Sequence, residues 1–164
     1  MRTTAFSTVL IAMTLSSDLV AQGRDDIVGT WQLISASATT EAGAAVAAPF
    51  GTDPAGLLIY TSEGRMSAII SHGGRKPLSI ADRVSSPAEE RAAAFSTFIA
   101  YAGRYTFSVG RVIHHVELSL VPNWANTELV RLIRFEGERM ILRTPPISIG
   151  GVSEVVDLVW ERVS

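Results

Sequence analysis

The chain contains no cysteine in its 164 residues. That excludes disulfides, thiolate metal sites and thiol nucleophiles, and leaves the compartment open, since many exported proteins have no disulfides. Charge is also sparse: Asp, Glu, Lys and Arg together make up 18%, and the net charge is −2. With no basic stripe, nucleic-acid binding is not expected. Walker loops, nucleophile elbows and dinucleotide fingerprints are missing as well, so no cofactor is expected. Histidine is rare, with three copies, and two of them are adjacent at His114 and His115.

What is present begins with an apolar run at residues 5–15 (AFSTVLIAMTL), too short to span a bilayer. Arg2 precedes it, a polar Ser16-Ser17-Asp18 stretch follows, and Ala21 offers a small residue before a cut. Residues 1–22 thus read as a secretory signal, which predicts a periplasmic or secreted protein. The competing reading is an apolar arm on a cytoplasmic protein. The folded domain is expected over residues 27–164, one domain with one core.

From residue 27 the pattern is that of strands and tight turns. Residues 27–38 (IVGTWQLISASA) are rich in β-branched and aromatic side chains. Residues 56–61 and 65–71 form two strands around a Ser62-Glu63-Gly64 turn. Residues 72–85 are polar with paired glycines and read as a flap over a binding site. A single α-helix is predicted next, with Ser86 as N-cap, Pro87 at the first position and Glu89 completing a capping box. Its apolar stripe would be Ala88, Phe95, Phe98, Ile99 and Ala102, with Gly103 as terminator. Strands 104–108, 111–120, 127–135, 139–143 and 152–163 complete a meander with turns at Val109-Gly110 and Glu136-Gly137-Glu138. About eight sequential antiparallel strands tend to close on themselves, because closure removes exposed edges. The predicted fold is therefore mainly β: one up-and-down barrel with the helix packed on it, large enough inside for side chains or one small ligand.

The segment Arg111–Trp124 (RVIHHVELSLVPNW) concentrates groups that can bind or move a proton. Val112, His114, Val116, Leu118 and Leu120 share one strand parity; Arg111, Ile113, His115, Glu117 and Ser119 share the other. His114 and His115 then face opposite ways and do not grip one metal. His115 and Glu117 share a face, which suits a general acid/base pair or equally a solvated outer wall. His114 on the apolar face is either a packing residue or the polar group that orients a ligand. Pro122-Asn123-Trp124 ends the strand, with the tryptophan at the barrel end or its mouth.

Several motifs occur in order along the chain: Gly29-Thr30-Trp31, Pro54-x-Gly56-x-Leu58-x-Tyr60, Gly64-Arg65-Met66, Glu90-Arg91-Ala92, His114-His115-Val116, Pro122-Asn123-Trp124 and Leu158-Val159-Trp160-Glu161-Arg162. Together they resemble the bacterial lipocalin-like domain family. The resemblance implies an up-and-down barrel with an internal cavity, Trp31 closing its floor and Arg162 packed over the indole. Similarity to domains encoded with natural-product pathways hints at cyclisation or isomerisation.

The first functional expectation is a binder of a small, mostly apolar molecule. Leu58, Tyr60, Met66, Tyr105, Leu118, Asn123 and Trp124 are the expected ligand contacts. The second is a cofactor-free isomerase, cyclase or hydratase in which His115 or His114 moves the proton, Glu117 assists, and Tyr60, Tyr105 or Asn123 donates to an oxyanion. A third is a scaffold whose interior is filled by side chains. No metal site is expected, because His115 and Glu117 lack an evident third ligand; His72 on the flap is the nearest candidate. Oligomeric state is left open.

Overall fold

The structure is a computed structural model that describes residues 23–163; the signal expected at residues 1–22 lies outside the described residues. A short helix α1 (Arg24–Ile27) leads into β1 (Gly29–Thr40), β2 (Ala55–Tyr60) and β3 (Arg65–Ser71). Helix α2 (Ala88–Ser96) follows, then β4 (Phe98–Ser108), β5 (Arg111–Ser119) and a 3-10 turn at Pro122–Trp124. The chain ends with β6 (Glu128–Glu136), β7 (Arg139–Arg143), β8 (Ile147–Ile149) and β9 (Val152–Arg162). Every neighbouring pair is antiparallel, and β9 pairs with β1 as well as β7, so eight strands close a barrel while β8 is an extra strand on the end of β9. No helix among the described residues is long and apolar enough to cross a membrane.

Alternation explains the closure. On β9, Val156, Leu158 and Trp160 are buried and point inward, while Asp157 and Glu161 face out and pair with Arg143 and Arg139. On β1, Trp31, Leu33 and Ala38 are buried. Trp31 ends the core at one end of the barrel. Its Nε1 donates to the Ile27 carbonyl at 2.9 Å, and the Arg162 guanidinium lies 4.3 Å from the indole ring. Arg162 also donates to the Val28 and Asp26 carbonyls at 2.5 and 2.6 Å. Gly29 makes room for this: its φ of 140° is foreign to other residues, and a Cβ there would run into the guanidinium. Arg162→Leu, which keeps bulk but loses both hydrogen bonds and the cation–π contact, is expected to cost about 1–3 kcal/mol in urea unfolding. A loss below half a kcal/mol would mean the floor holds without it.

Two parts of the strand reading are corrected. The helix stops at Ser96, and Phe98, Ile99 and Ala102 belong to β4, where they pair with Ser71, Ile70 and Ser67. Aromatic and β-branched side chains fit that pleated surface better than a helix, and the Thr97 and Ser96 hydroxyls turn back onto the Ala93 and Ala92 carbonyls. Ser86 does not cap α2; its hydroxyl donates to the Ile80 and Asp82 carbonyls, and Pro87 occupies the cap position. Gly103 ends no helix but lies within β4.

The second correction concerns β5. Val116 pairs with Gly103 and Leu118 with Ala102, so Glu117 is an extra residue, a β-bulge. Parity flips there. Ser119 lands opposite the buried Tyr101, and Leu118 turns outward, 72% exposed. Gly103 is required beneath the bulge, because a Cβ would overlap the His115 carbonyl oxygen and sit 2.9 Å from the Glu117 nitrogen.

Candidate functional site

At the barrel end opposite Trp31 the interior is hollow. A cavity of about 480 Å³ is lined by Phe50, Ile70, Ile99, Tyr101, Trp124, Leu129, Arg131, Thr144, Val156 and Leu158, with Pro49, His72, Ser96 and β8 around its lip. The lip residues Ser96, Ile147, Ser148 and Ile149 are exposed, so the cavity reaches solvent. Its size and apolar walls fall in the range of small-molecule sites. Tyr101 and Trp124 meet edge to face at 6.0 Å, and His72 packs edge-on against Phe50 at 5.3 Å.

Below the cavity, deeper in the barrel, His114 is 1% exposed and held between two tyrosines. The Tyr60 hydroxyl lies 2.6 Å from Nε2 and the Tyr101 hydroxyl 3.0 Å from Nδ1. Burial holds the imidazole well below its usual pKa, with the Arg131 charge and His115 pushing the same way. Burial likewise raises the Tyr60 phenol, with Tyr101 and Tyr105 adding to it and Arg131 opposing. The imidazole is therefore neutral, with one N–H donor and one acceptor nitrogen. Tyr60 is 1% exposed, and His114 is its hydrogen-bond partner among the described residues. A buried hydroxyl does not leave its proton unused. Tyr60 therefore donates to Nε2, Nδ1–H donates to the Tyr101 oxygen, and the Tyr101 proton is left to point toward the cavity it lines.

Several expected site residues fall elsewhere. His115 and Glu117 do not pair. The Thr106 hydroxyl lies 2.7 Å from His115 Nε2, and Nδ1 is 3.1 Å from the carboxylate of Glu128, its register partner on β6. Side chains directly across a ladder lie closer than side chains two apart on one strand, so the cross-strand carboxylate wins. Glu117 instead binds Arg65 and Arg104 on the outer wall, at 2.9 and 3.1 Å. Leu118 lies outside for the reason given, and Asn123 is exposed. Leu58 and Met66 are core residues, 1% and 3% exposed, and do not line the cavity. The Tyr105 hydroxyl donates to the Thr61 carbonyl at 2.8 Å, away from the cavity. Of the expected ligand contacts, Trp124 lines the cavity, and Tyr60 meets it through His114 and Tyr101.

Two lining residues escaped the sequence reading. Tyr101 was concealed by the over-long helix. Arg131 carried a visible signal: it follows Leu129 and precedes Ile133 and Phe135 on one strand parity, an arginine on an inward apolar face. Among the described residues no cluster of three or more His, Asp or Glu side chains has metal-binding geometry.

The sequence pattern of the lipocalin-like domain matches residues 28–163, the whole barrel. The chain belongs to the lipocalin-like domain family. A curated relative in Aspergillus oryzae, the 4'-hydroxy-3'-methoxypropiophenone carrier protein ppsC, is 33% identical over 107 residues, 60% of this chain and 96% of that protein. Among solved structures, a lipocalin-like protein from Bacteroides uniformis is 11% identical, with a TM-score of 0.43 over 84% of this chain and 99% of that one. Within this lipocalin-like domain the motif residues split by role. Gly29, Trp31 and Arg162 build the closed floor, and Trp124 belongs to the open end.

Proposed function

We propose that this lipocalin-like domain binds a small, mostly apolar molecule in the cavity at its open end. The observation that carries the reading is the cavity itself, about 480 Å³ walled by Phe50, Ile70, Ile99, Trp124, Leu129 and Leu158. A barrel filled by its own side chains, the scaffold alternative, has no such space. The relative from Aspergillus oryzae, named for carrying an aryl ketone, supports a carrier role and an aromatic-sized cargo. Trp124 and Tyr101 offer ring faces and edges to such a molecule.

The test is a titration with an apolar fluorescent dye, followed by mass spectrometry of small molecules that co-purify with the protein. Ile99→Trp, which fills the cavity from its wall, is expected to weaken dye binding at least tenfold with little change in melting temperature. Unchanged dye affinity in a folded Ile99→Trp protein would remove the cavity from consideration.

A second reading, a cofactor-free isomerase or cyclase, draws on the Tyr60–His114–Tyr101 chain, in which a neutral base is wired to a cavity hydroxyl. Both imidazole nitrogens are already engaged, so a substrate proton would have to travel through Tyr101. Deuterium exchange next to the carbonyl of an aryl ketone, read by NMR, separates the two. A carrier gives the buffer rate, whereas an enzyme exceeds it and loses the excess in Tyr101→Phe.

A further inference from the structure

Arg131 is placed differently from the five arginines that pair with carboxylates on the sheet's outer face. Arg65, Arg104, Arg134, Arg139 and Arg143 stand on the outer wall, and each has a carboxylate within 4.0 Å. Arg131 faces the other way. It pairs across the ladder with the fully buried Val112, and it lines the cavity beside Leu129. Among the described residues no carboxylate answers it; its Nη1 donates to the Val130 carbonyl at 2.8 Å. On β6 it lies two residues beyond Leu129, the register partner of His114, so Leu129 and Arg131 line the cavity beside the Tyr101 that His114 anchors. A cation in a mostly apolar hollow is held at a cost unless something neutralises it.

Near it, the hydrogen-bond order of Tyr60, His114 and Tyr101 leaves the Tyr101 hydroxyl proton unspent. A guanidinium and a phenol O–H thus serve one cavity as donors, with an aromatic and aliphatic wall behind them. An acceptor-only group with negative charge matches that pair, because a carboxylate takes two guanidinium bonds and still has a lone pair for the phenol.

We propose that the cargo is an anionic amphiphile, a hydrophobic body carrying a carboxylate or an equivalent oxyanion that Arg131 and Tyr101 hold at the inner end of the cavity. This deepens the carrier reading above and rests on it.

The experiment is calorimetric titration with cinnamic, 2-naphthoic and decanoic acids and the methyl esters of the first two, at pH 7.5, on the wild type and on Arg131→Met, Arg131→Lys and Tyr101→Phe. The wild type is expected to prefer each acid over its ester at least tenfold. Arg131→Met should erase that preference by weakening the acids while leaving the esters within about threefold, and Arg131→Lys should keep part of it. Tyr101→Phe is expected to weaken the acids several-fold more than the esters. Esters that bind as tightly as acids to the wild type overturn the proposal, because the polar end is then a neutral carbonyl, while the apolar-cavity reading stands. If no acid and no ester binds, the carrier reading and this proposal fall together. If Arg131→Met did not fold, the acid-to-ester ratio of the wild type decides.

Discussion

Gly103→Ala is expected to destabilise the barrel by about 3 kcal/mol or more, the upper range for a single added methyl group. The new Cβ would overlap the His115 carbonyl and come within 2.9 Å of the Glu117 nitrogen and 3.0 Å of the His115 carbonyl carbon. These are backbone atoms, which cannot swing aside as a side-chain tip can. The cost should also be reversible in a particular way. Glu117 is the extra residue of the bulge, so deleting it lets Leu118 keep its partner Ala102 while the strand flattens over position 103. The deletion loses only the exposed pairs to Arg65 and Arg104, worth little. The double variant, Gly103→Ala with Glu117 deleted, is therefore expected to recover at least half of the stability lost by Gly103→Ala alone, read by urea unfolding. Additive losses would mean that the glycine is needed for some reason other than the bulge.

His114→Phe carries the second large effect. Phenylalanine keeps the volume but strands the Tyr60 hydroxyl, which is 1% exposed, and frees the Tyr101 hydroxyl from its anchor. An unsatisfied buried hydroxyl costs about 1–3 kcal/mol, so a loss of about 2–4 kcal/mol at pH 8 is expected. The pH dependence fixes the cause. Burial depresses the His114 pKa in the folded state, so below pH about 6.5 the unfolded chain takes up a proton that the native chain refuses. Wild-type stability is full above that pH and falls as the pH drops, by up to about 1.4 kcal/mol per pH unit until the folded pKa is reached. The variant lacks this term. The gap between the two proteins should therefore narrow from pH 8 to pH 5.5. His72, also depressed by partial burial and by Arg75, is present in both and cancels. Parallel curves would mean that His114 is protonated in the fold.

Much of the barrel was legible because its signals are local and redundant. The Ser62-Glu63-Gly64 and Val109-Gly110 turns are written in the residues that occupy them, and two-residue alternation identifies inward faces wherever the register is regular. That rule set His114 on the apolar face, opposite to His115, and left open which face was inside; the closed barrel buries His114. The same rule failed four positions later, at Leu118, because one inserted residue inverts every side chain beyond it. Gly103 was the hint, a glycine inside a strand that marks a close backbone approach, but the helical periodicity running through Phe98 and Ile99 claimed it first. His115 was given the wrong carboxylate for another reason. Its true partner, Glu128, lies on a strand whose register no local pattern reveals. The cavity was anticipated as a class of feature, but its lining was not. Phe50, Ile70, Leu129 and Val156 converge from separate parts of the chain, and only the closed sheet brings them together.

The Arg162 contact with the Asp26 carbonyl joins positions 136 residues apart. Wherever strands are added one by one in a meander, each hairpin can form early and locally, yet the cylinder exists only once its first and last staves meet. That makes closure a kinetic bottleneck: the loop-closure entropy is spent before the seam yields its reward, and folding on the slow, millisecond-to-second side is the consequence. Until then the free rims of β1 and β9 are sticky to one another across molecules, so dilution during refolding should raise the yield of native barrel.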